Sequence, residues 1–170
     1  KYSIDFYQRE YKWARIEWAQ LLEDILDNDN GYFMGSLICV NELEGRAQGD
    51  ESVFQVVDGQ QRLTTLSLLL MAIYAKYKKA IADSPTTDED IDADRRARLS
   101  NMRKQMLREK PAGRRDEPGG FSVGPKWYFQ RVQPSSQNKN LDDYRYLLCH
   151  LGLLEGLPRP NKWGMRRISK

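Results

Sequence analysis

Leu63, Leu66, Leu69, Leu70, Ile73, Tyr74 and Tyr77 recur at a spacing that gathers them onto one side of a helix. Almost every position from Leu66 to Ile73 is apolar as well, so a central, nearly buried helix is predicted over about Gln60–Ala80. Just upstream, Val53 to Val57 reads as a strand, and Gly59 breaks it. Strand, Asp58-Gly59 and helix therefore follow one another without a loop. The rest of the fold has to be built around that turn.

Around it the chain alternates in character. Arg15 to Asn28 carries Ile16, Leu21, Leu22, Ile25 and Leu26 among acids and amides, which predicts an amphipathic helix stopped by Asn30-Gly31. Gly35 to Val40 predicts a buried strand, and hairpin geometry favours pairing it antiparallel with Val53–Val57. Downstream, Asp83 to Asp94 holds six acids and no base, whereas Arg95 to Arg115 holds nine bases and one acid. A helix is predicted over about Glu89–Glu109, with Leu99, Met102, Met106 and Leu107 as its apolar stripe. Pro111 to Gly124 reads as a mobile loop, Lys126 to Val132 as a strand, and Asp142 to Leu154 as a short helix. Gly119 and Gly124 have the spacing of a phosphate-binding loop, but Pro125-Lys126 follows where Lys-Ser or Lys-Thr is needed.

At 40% hydrophobic and 30% charged residues, 170 residues leave room for one domain with a sizeable core, or one domain and an appendage. A net charge of +3 does not by itself point to nucleic acid. Cys39 and Cys149 sit far apart in apolar runs, at a spacing that fits neither a zinc site nor a disulfide framework; two buried thiols are expected. The longest apolar run is too short to span a bilayer, and no leader pattern opens the chain, so a cytoplasmic location is expected. The chain starts at Lys1 without a methionine and stops in Arg166-Arg167-Ile168-Ser169-Lys170, which reads as a piece of a longer protein.

The turn carries a chemical expectation. The first N–H groups of a helix lack intrahelical partners, and the macrodipole there favours negative charge, so phosphate can bind without a dedicated side chain. Gly59 leaves room for a ligand, and Arg62 adds a planar, permanently charged fork. Gln60 and Gln61 bring amides, and Thr64 and Thr65 bring hydroxyls. Asp58 would repel phosphate unless a cation lay between them; it either holds Mg²⁺ or caps the helix. An ordinary N-cap and turn is the competing reading. Near the start, Tyr7-Gln8-Arg9-Glu10-Tyr11-Lys12-Trp13 forms a polar, aromatic segment that can stack on a base and pair with phosphate. Its alternative is aromatic packing, with Arg9 in a structural ion pair.

Three blocks match a known pattern: Tyr7-Gln8-Arg9 with Tyr11 and Trp13, then Tyr32-Phe33-Met34-Gly35-Ser36-Leu37-Ile38, then Val57-Asp58-Gly59-Gln60-Gln61-Arg62-Leu63-Thr64-Thr65-Leu66. In order and spacing they closely resemble the N-terminal domain family of GmrSD-type restriction endonucleases, within the ParB/sulfiredoxin-like superfamily. Gln133-Pro134-Ser135-Ser136-Gln137-Asn138 and Asp143-Tyr144-Arg145-Tyr146 resemble a continuation in one branch. The resemblance implies an α+β fold with a small mixed sheet packed against helices and a helical C-terminal extension. Residues 1–82 would form the ParB-like core, 83–125 a charged helix and loop, and 126–170 the start of a further helical region.

The resemblance also implies nucleoside triphosphate binding and hydrolysis coupled to cleavage of foreign DNA. It places Asp58, Gly59, Gln60, Gln61 and Arg62 in the nucleotide pocket, with Gln8 and Arg9 close by. In that reading Mg²⁺ bridges Asp58 and the phosphates, and Gln60 or Gln61 positions the attacking water. The family often has proline where Asp5 and Glu10 stand here. Its nuclease chemistry usually belongs to a separate C-terminal domain or partner subunit containing histidine. This chain has one histidine, His150, in an apolar helix where a core or boundary position is expected, so no DNA cleavage is expected of it. Within the basic block, Arg95, Arg96, Arg103, Lys104 and Arg108 are candidate DNA-backbone contacts; the alternative is a solvated helix face that neutralises the acids before it. The rivals to an NTPase are a non-catalytic nucleotide switch, a DNA-binding module using the same pocket, and a structural partner-binding domain.

Overall fold

The computed structural model describes residues 1–5, 7–42, 52–110, 120–123, 126–137 and 140–154. In chain order its elements are β1 (Tyr2–Ser3), α1 (Arg15–Asp27), β2 (Ile38–Glu42), β3 (Val53–Asp58), α2 (Gln60–Asp83), α3 (Glu89–Met106), β4 (Leu107–Lys110), β5 (Gly120–Val123), β6 (Lys126–Gln130), β7 (Val132–Gln133) and α4 (Asn140–His150). The class is α+β, as expected. The chain divides into two compact units, Lys1–Leu66 with Val132–Asn140, and Ser67–Arg131 with Leu141–Lys170. The boundary falls within α2, whose first two turns or so belong to the first unit.

The first unit holds a small mixed sheet in the order β2-β3-β1-β7. β2 and β3 pair antiparallel, as predicted, while β1 runs parallel to both β3 and β7. The bond from Ile4 N–H to the Gln133 carbonyl, 2.9 Å, extends that pairing. Gly35–Val40 is not the buried strand expected. Gly35 takes a φ of +97°, which interrupts the extended path, so the strand starts at Ile38. It then lies at the end of the sheet order, with Ile38 and Val40 exposed.

α1 forms where predicted. Ala14 offers no side-chain acceptor for the cap, but Glu17 Oε2 accepts from Ala14 N–H at 2.8 Å, and that bond holds the Glu17 carboxyl below its ordinary range. Only Leu21 on this helix is buried; Ile16 is 82% exposed and Leu26 71%.

The second unit has its own core of Met71, Tyr74, Met106, Leu107, Tyr128, Tyr144, Leu148, Leu153 and Leu154. It also has an antiparallel sheet in the order β4-β6-β5. The helix expected to reach Glu109 ends at Met106, because Leu107–Lys110 pairs with β6, Leu107 opposite Gln130. Gly120–Val123, expected in a mobile loop, is strand β5 on the other side of β6. Residues 111–119, 124 and 125 lie outside the described residues, and the Gly119/Gly124 spacing with them.

α4 ends in a Schellman motif: Gly152 has a φ of +74°, its N–H reaches the Cys149 carbonyl at 3.0 Å, and Leu153 N–H reaches the Leu148 carbonyl at 2.9 Å. That turn seats Leu153 and Leu154 in the core. His150 is neither core nor boundary: it is exposed, its ring stacked on Tyr146 with centroids 5.5 Å apart. Cys39 and Cys149 are free and half-buried, and burial pushes both thiols above their ordinary pKa. α2 is less buried than its leucines predict, with Ile73 49% exposed. Its buried positions are Gln60, Gln61, Thr64, Thr65 and Ser67, then Met71 and Tyr74. The polar start of the helix is its more enclosed part.

Candidate functional site

β3 passes into α2 through Gly59, whose φ of +86° few other residues tolerate. A Cβ there would stand 3.0 Å from the Ser36 carbonyl and 3.1 Å from Leu37 Cδ1, so the chain before β2 packs against the turn. Leu63 N–H donates to the Gly59 carbonyl at 2.9 Å, the first bond of the helix. The N–H groups of Gln60, Gln61 and Arg62 precede it and point out of the helix start.

They open on a cleft of about 440 Å³ lined by Gln8, Arg9 and Trp13 from the N-terminal segment and by Val57 through Arg62 from the turn. Two stretches about fifty residues apart in the chain thus meet at one site. Arg9 and Asp58 are exposed there, and among the described residues neither side chain has a hydrogen-bond or ion-pair partner. Arg62 is half-buried. Its Nη1 donates to the Ser36 carbonyl at 3.3 Å, and its guanidinium lies over Gly35, where a Cβ would fall 2.7 Å from Cζ.

The two adjacent glutamines have different environments. Gln61 Oε1 accepts from Lys12 N–H at 2.8 Å and Trp13 N–H at 3.4 Å, while its Nε2 donates to the Glu10 carbonyl at 3.0 Å. Its amide is a clamp that holds the N-terminal segment along the helix. Gln60 is only 8% exposed, yet its Oε1 meets no donor among the described residues. A buried amide oxygen without a donor is unfavourable by about 1–3 kcal/mol, and such exceptions call for an explanation.

Thr64 and Thr65 do not line the cleft. Thr64 Oγ1 donates to the Gln60 carbonyl at 2.8 Å, and Thr65 Oγ1 to the Gln61 carbonyl at 2.9 Å. Tyr11 Oη meets Thr65 Oγ1 at 2.7 Å and accepts from Trp18 Nε1 at 2.6 Å. An indole only donates, so the chain of bonds has one direction, from Trp18 through Tyr11 and Thr65 to the backbone. Burial raises the Tyr11 phenol pKa, which keeps that chain protonated. Tyr7 lies outside the lining as well: it is 66% exposed, and its hydroxyl accepts from Gln55 Nε2 at 2.9 Å. The sequence reading named Trp13 in the aromatic segment without assigning it to the pocket, and it missed Gln61 as a clamp. The first was legible as an aromatic beside Arg9; the second had no local signal.

The described part of the basic block lies in the second unit, and Arg95, Arg96, Arg98 and Arg103 have partners there. Arg96 pairs with Asp92 at 3.0 Å and Arg98 with Asp94 at 2.8 Å, each one helical turn apart. Arg95 Nη1 donates to the Ser84 carbonyl at 2.7 Å. Arg103 Nε donates to the Leu153 carbonyl at 2.9 Å, with its guanidinium 5.7 Å from the centre of the Tyr128 ring. Lys104 and Arg108 are exposed. Asp88 caps α3, acids fill its first turn, and Arg103 and Lys104 fill its last, so the acid-then-base order also follows the helix dipole. No group of three or more potential metal-ligating His, Cys, Asp or Glu residues occurs among the described residues. No helix among them is long and apolar enough to cross a membrane.

Residues 1–147 match the family model described as the GmrSD restriction endonuclease, N-terminal domain. A search of curated proteins returns no match.

Proposed function

Because the chain belongs to the family of GmrSD restriction endonuclease N-terminal domains, modules of restriction and phage-defence proteins, we propose that its Gly59 cleft binds and hydrolyses a nucleoside triphosphate. The observation that carries this reading is the convergence on one cleft of Arg9, Arg62 and the open N–H groups at the start of α2. All three favour anions, and the volume falls in the range of small-molecule sites, roughly 300–1,000 Å³. In the complete protein, a C-terminal nuclease domain or partner subunit would respond to the nucleotide.

The residues divide the work by geometry. The N–H groups of Gln60, Gln61 and Arg62 hold phosphate oxygens, and the Arg62 fork takes two more. Arg9, exposed at the rim, adds neutralising charge and long-range attraction. Asp58 has a free carboxylate facing the same cleft, which suits a divalent cation shared with phosphate oxygens. Mg²⁺ bound there would neutralise charge on the phosphate chain. Gln60, rather than Gln61, is the residue to orient the attacking water. Its Oε1 is buried without a donor, so turning that oxygen toward a water in the cleft would break no hydrogen bond to it, whereas the Gln61 amide is engaged on both atoms. Water oxygen then bonds to the γ-phosphorus as the bond to the β–γ bridging oxygen breaks, giving a diphosphate and inorganic phosphate.

The test is a thermal-shift screen of ATP, GTP, CTP and UTP with Mg²⁺, followed by phosphate release. At least one nucleotide is expected to stabilise the chain and to be turned over. Arg62→Ala is expected to weaken binding by roughly 100-fold while the fold persists, the scale of removing one partner of a hydrogen-bonded charge pair. Gln60→Ala is expected to slow turnover with affinity kept, the pattern of a group acting only in the transition state. No shift with any nucleotide, or wild-type binding by Arg62→Ala, defeats the proposal. Binding without turnover leaves a nucleotide switch in place of an NTPase.

A further inference from the structure

A second groove of about 510 Å³ opens along α1, also within the first unit. Its apolar wall includes Trp13, Ile16, Tyr32, Phe33 and Met34, and Arg62 lines it as well. Trp13 and Arg62 line the Gly59 cleft too, so the two cavities share these side chains as a common wall. The walls are uncovered: Ile16 is 82% exposed, Phe33 73% and Tyr32 47%. Scattered exposed apolar residues need no explanation, but a contiguous patch lining a groove marks a binding surface.

We propose that this groove is the nucleoside subsite, holding the base and ribose of the nucleotide whose phosphate chain lies in the Gly59 cleft. The inference rests on the nucleotide reading of that cleft and adds where the rest of the molecule goes. Adjacency is the first argument, because a ligand with an anionic chain and a flat aromatic end needs an anion seat beside an apolar slot. Composition is the second. Indole, phenol and phenyl rings stack on any base through its π-face, and a guanidinium stacks as readily as it binds phosphate.

Arg62 itself is the third argument. Gly35 has a φ of +97°, and a Cβ there would stand 2.7 Å from Arg62 Cζ, so the absent side chain is what lets the guanidinium lie at the junction. The Tyr32–Met34 wall and the seat for Arg62 therefore come from one stretch of backbone. That gives this stretch a role the turn alone does not explain.

The experiment is isothermal titration with Mg²⁺ and five probes: ATP, GTP, CTP, UTP and inorganic tripolyphosphate. The chains are wild type, Phe33→Ala, Ile16→Ala, Arg62→Ala and Leu26→Ala. Phe33 and Ile16 are exposed enough for truncation to leave the fold intact, and circular dichroism checks this. Wild type is expected to bind its preferred NTP more tightly than tripolyphosphate. Phe33→Ala should weaken that NTP by about tenfold or more, the scale of losing one stacking partner. Its affinity for tripolyphosphate should stay. Arg62→Ala should weaken both probes, and Leu26→Ala, exposed on α1 outside the groove, neither.

Equal affinity of wild type for NTP and tripolyphosphate overturns the subsite while leaving the phosphate cleft standing. So does an unchanged NTP affinity in both Phe33→Ala and Ile16→Ala. Self-association lost in Phe33→Ala, with nucleotide affinity intact, assigns the groove to a second copy and overturns it too. Failure of every probe to bind overturns the cleft and the subsite together.

Discussion

In the second unit most of the prominent polar groups are matched: Ser67 and Tyr144 share a buried hydrogen bond, Arg103 is held by a carbonyl and a ring, and the exposed Arg96 and Arg98 pair within their own helix, with the buried Gln130 Nε2 an exception. In the first unit, Arg9 and Asp58 stand at a cleft without partners among the described residues, Gln60 Oε1 meets no donor, and apolar side chains line an open groove. A matched network has little left to offer a ligand, whereas an unmatched one gains from binding what it lacks internally. The contrast assigns stability to the one region and recognition to the other. It also weakens the case for a DNA surface on α3, where Arg95, Arg96, Arg98 and Arg103 already have partners.

Mutation breaks or sharpens that contrast. The largest effect is expected in the packed core: Leu148→Ala, at a fully buried position, should lower stability by about 2–5 kcal/mol in urea denaturation. Leu26→Ala on the open face should stay within about 0.5 kcal/mol. Equal losses would mean that the two regions are not differently packed.

Next comes pH. Burial pushes the Tyr144 phenol up to about 12 from an ordinary 10.0, with the Ser67 hydrogen bond opposing it. The folded state then holds this proton more tightly than the unfolded one. The resulting stability is fully present below pH 10 and is lost as pH rises through about 12, by roughly 2–3 kcal/mol. Tyr144→Phe should flatten that alkaline fall; an equally steep fall in the variant would place its origin elsewhere.

A smaller stability effect separates strain from function. Gly35→Ala and Gly31→Ala both put a side chain at positive φ, +97° and +102°, at a cost of about 1 kcal/mol each. Only Gly35→Ala also drives a methyl group into the Arg62 guanidinium, since nothing lies within 4 Å of a Cβ at Gly31. Nucleotide affinity should therefore fall in the first and hold in the second. Matching affinities would remove Gly35 as the seat of Arg62. The smallest effect is expected on α3, where Arg96→Ala and Arg98→Ala each break an exposed pair worth about 0.3–0.5 kcal/mol. If DNA binds the chain at all, its salt dependence should keep the same slope in these variants; a shallower slope would restore the block as a phosphate contact.

Much of the framework could be read from residue order. The strand, Gly59 and helix were legible because a run of β-branched residues, a glycine and a helical repeat each bias the chain locally. The same holds for α1, α4 and the β2–β3 pairing. Three motif blocks pointed to the family, and two of them now meet around one cleft. Leu107–Lys110 did not read as a strand, since Leu-Arg-Glu-Lys continues a helical charge pattern and extends only because residues 126–130 pair with it. Thr64 and Thr65 looked like ligands for the same reason that Gln60 and Gln61 looked alike, namely position beside the turn.

Helical repeat, glycine stereochemistry and charge order act between near neighbours, so the amino-acid order alone was enough to set the turn, the helices and the anion-favouring end of α2. Which glutamine keeps its amide, where Arg62 lies and whether an apolar face stays open depend on segments distant along the chain. Gln61 reaches the Glu10 carbonyl across 51 positions, and Arg62 reaches Ser36 across 26. No local preference encodes such partnerships; they exist only once the folded backbone has brought donor and acceptor within about 3 Å.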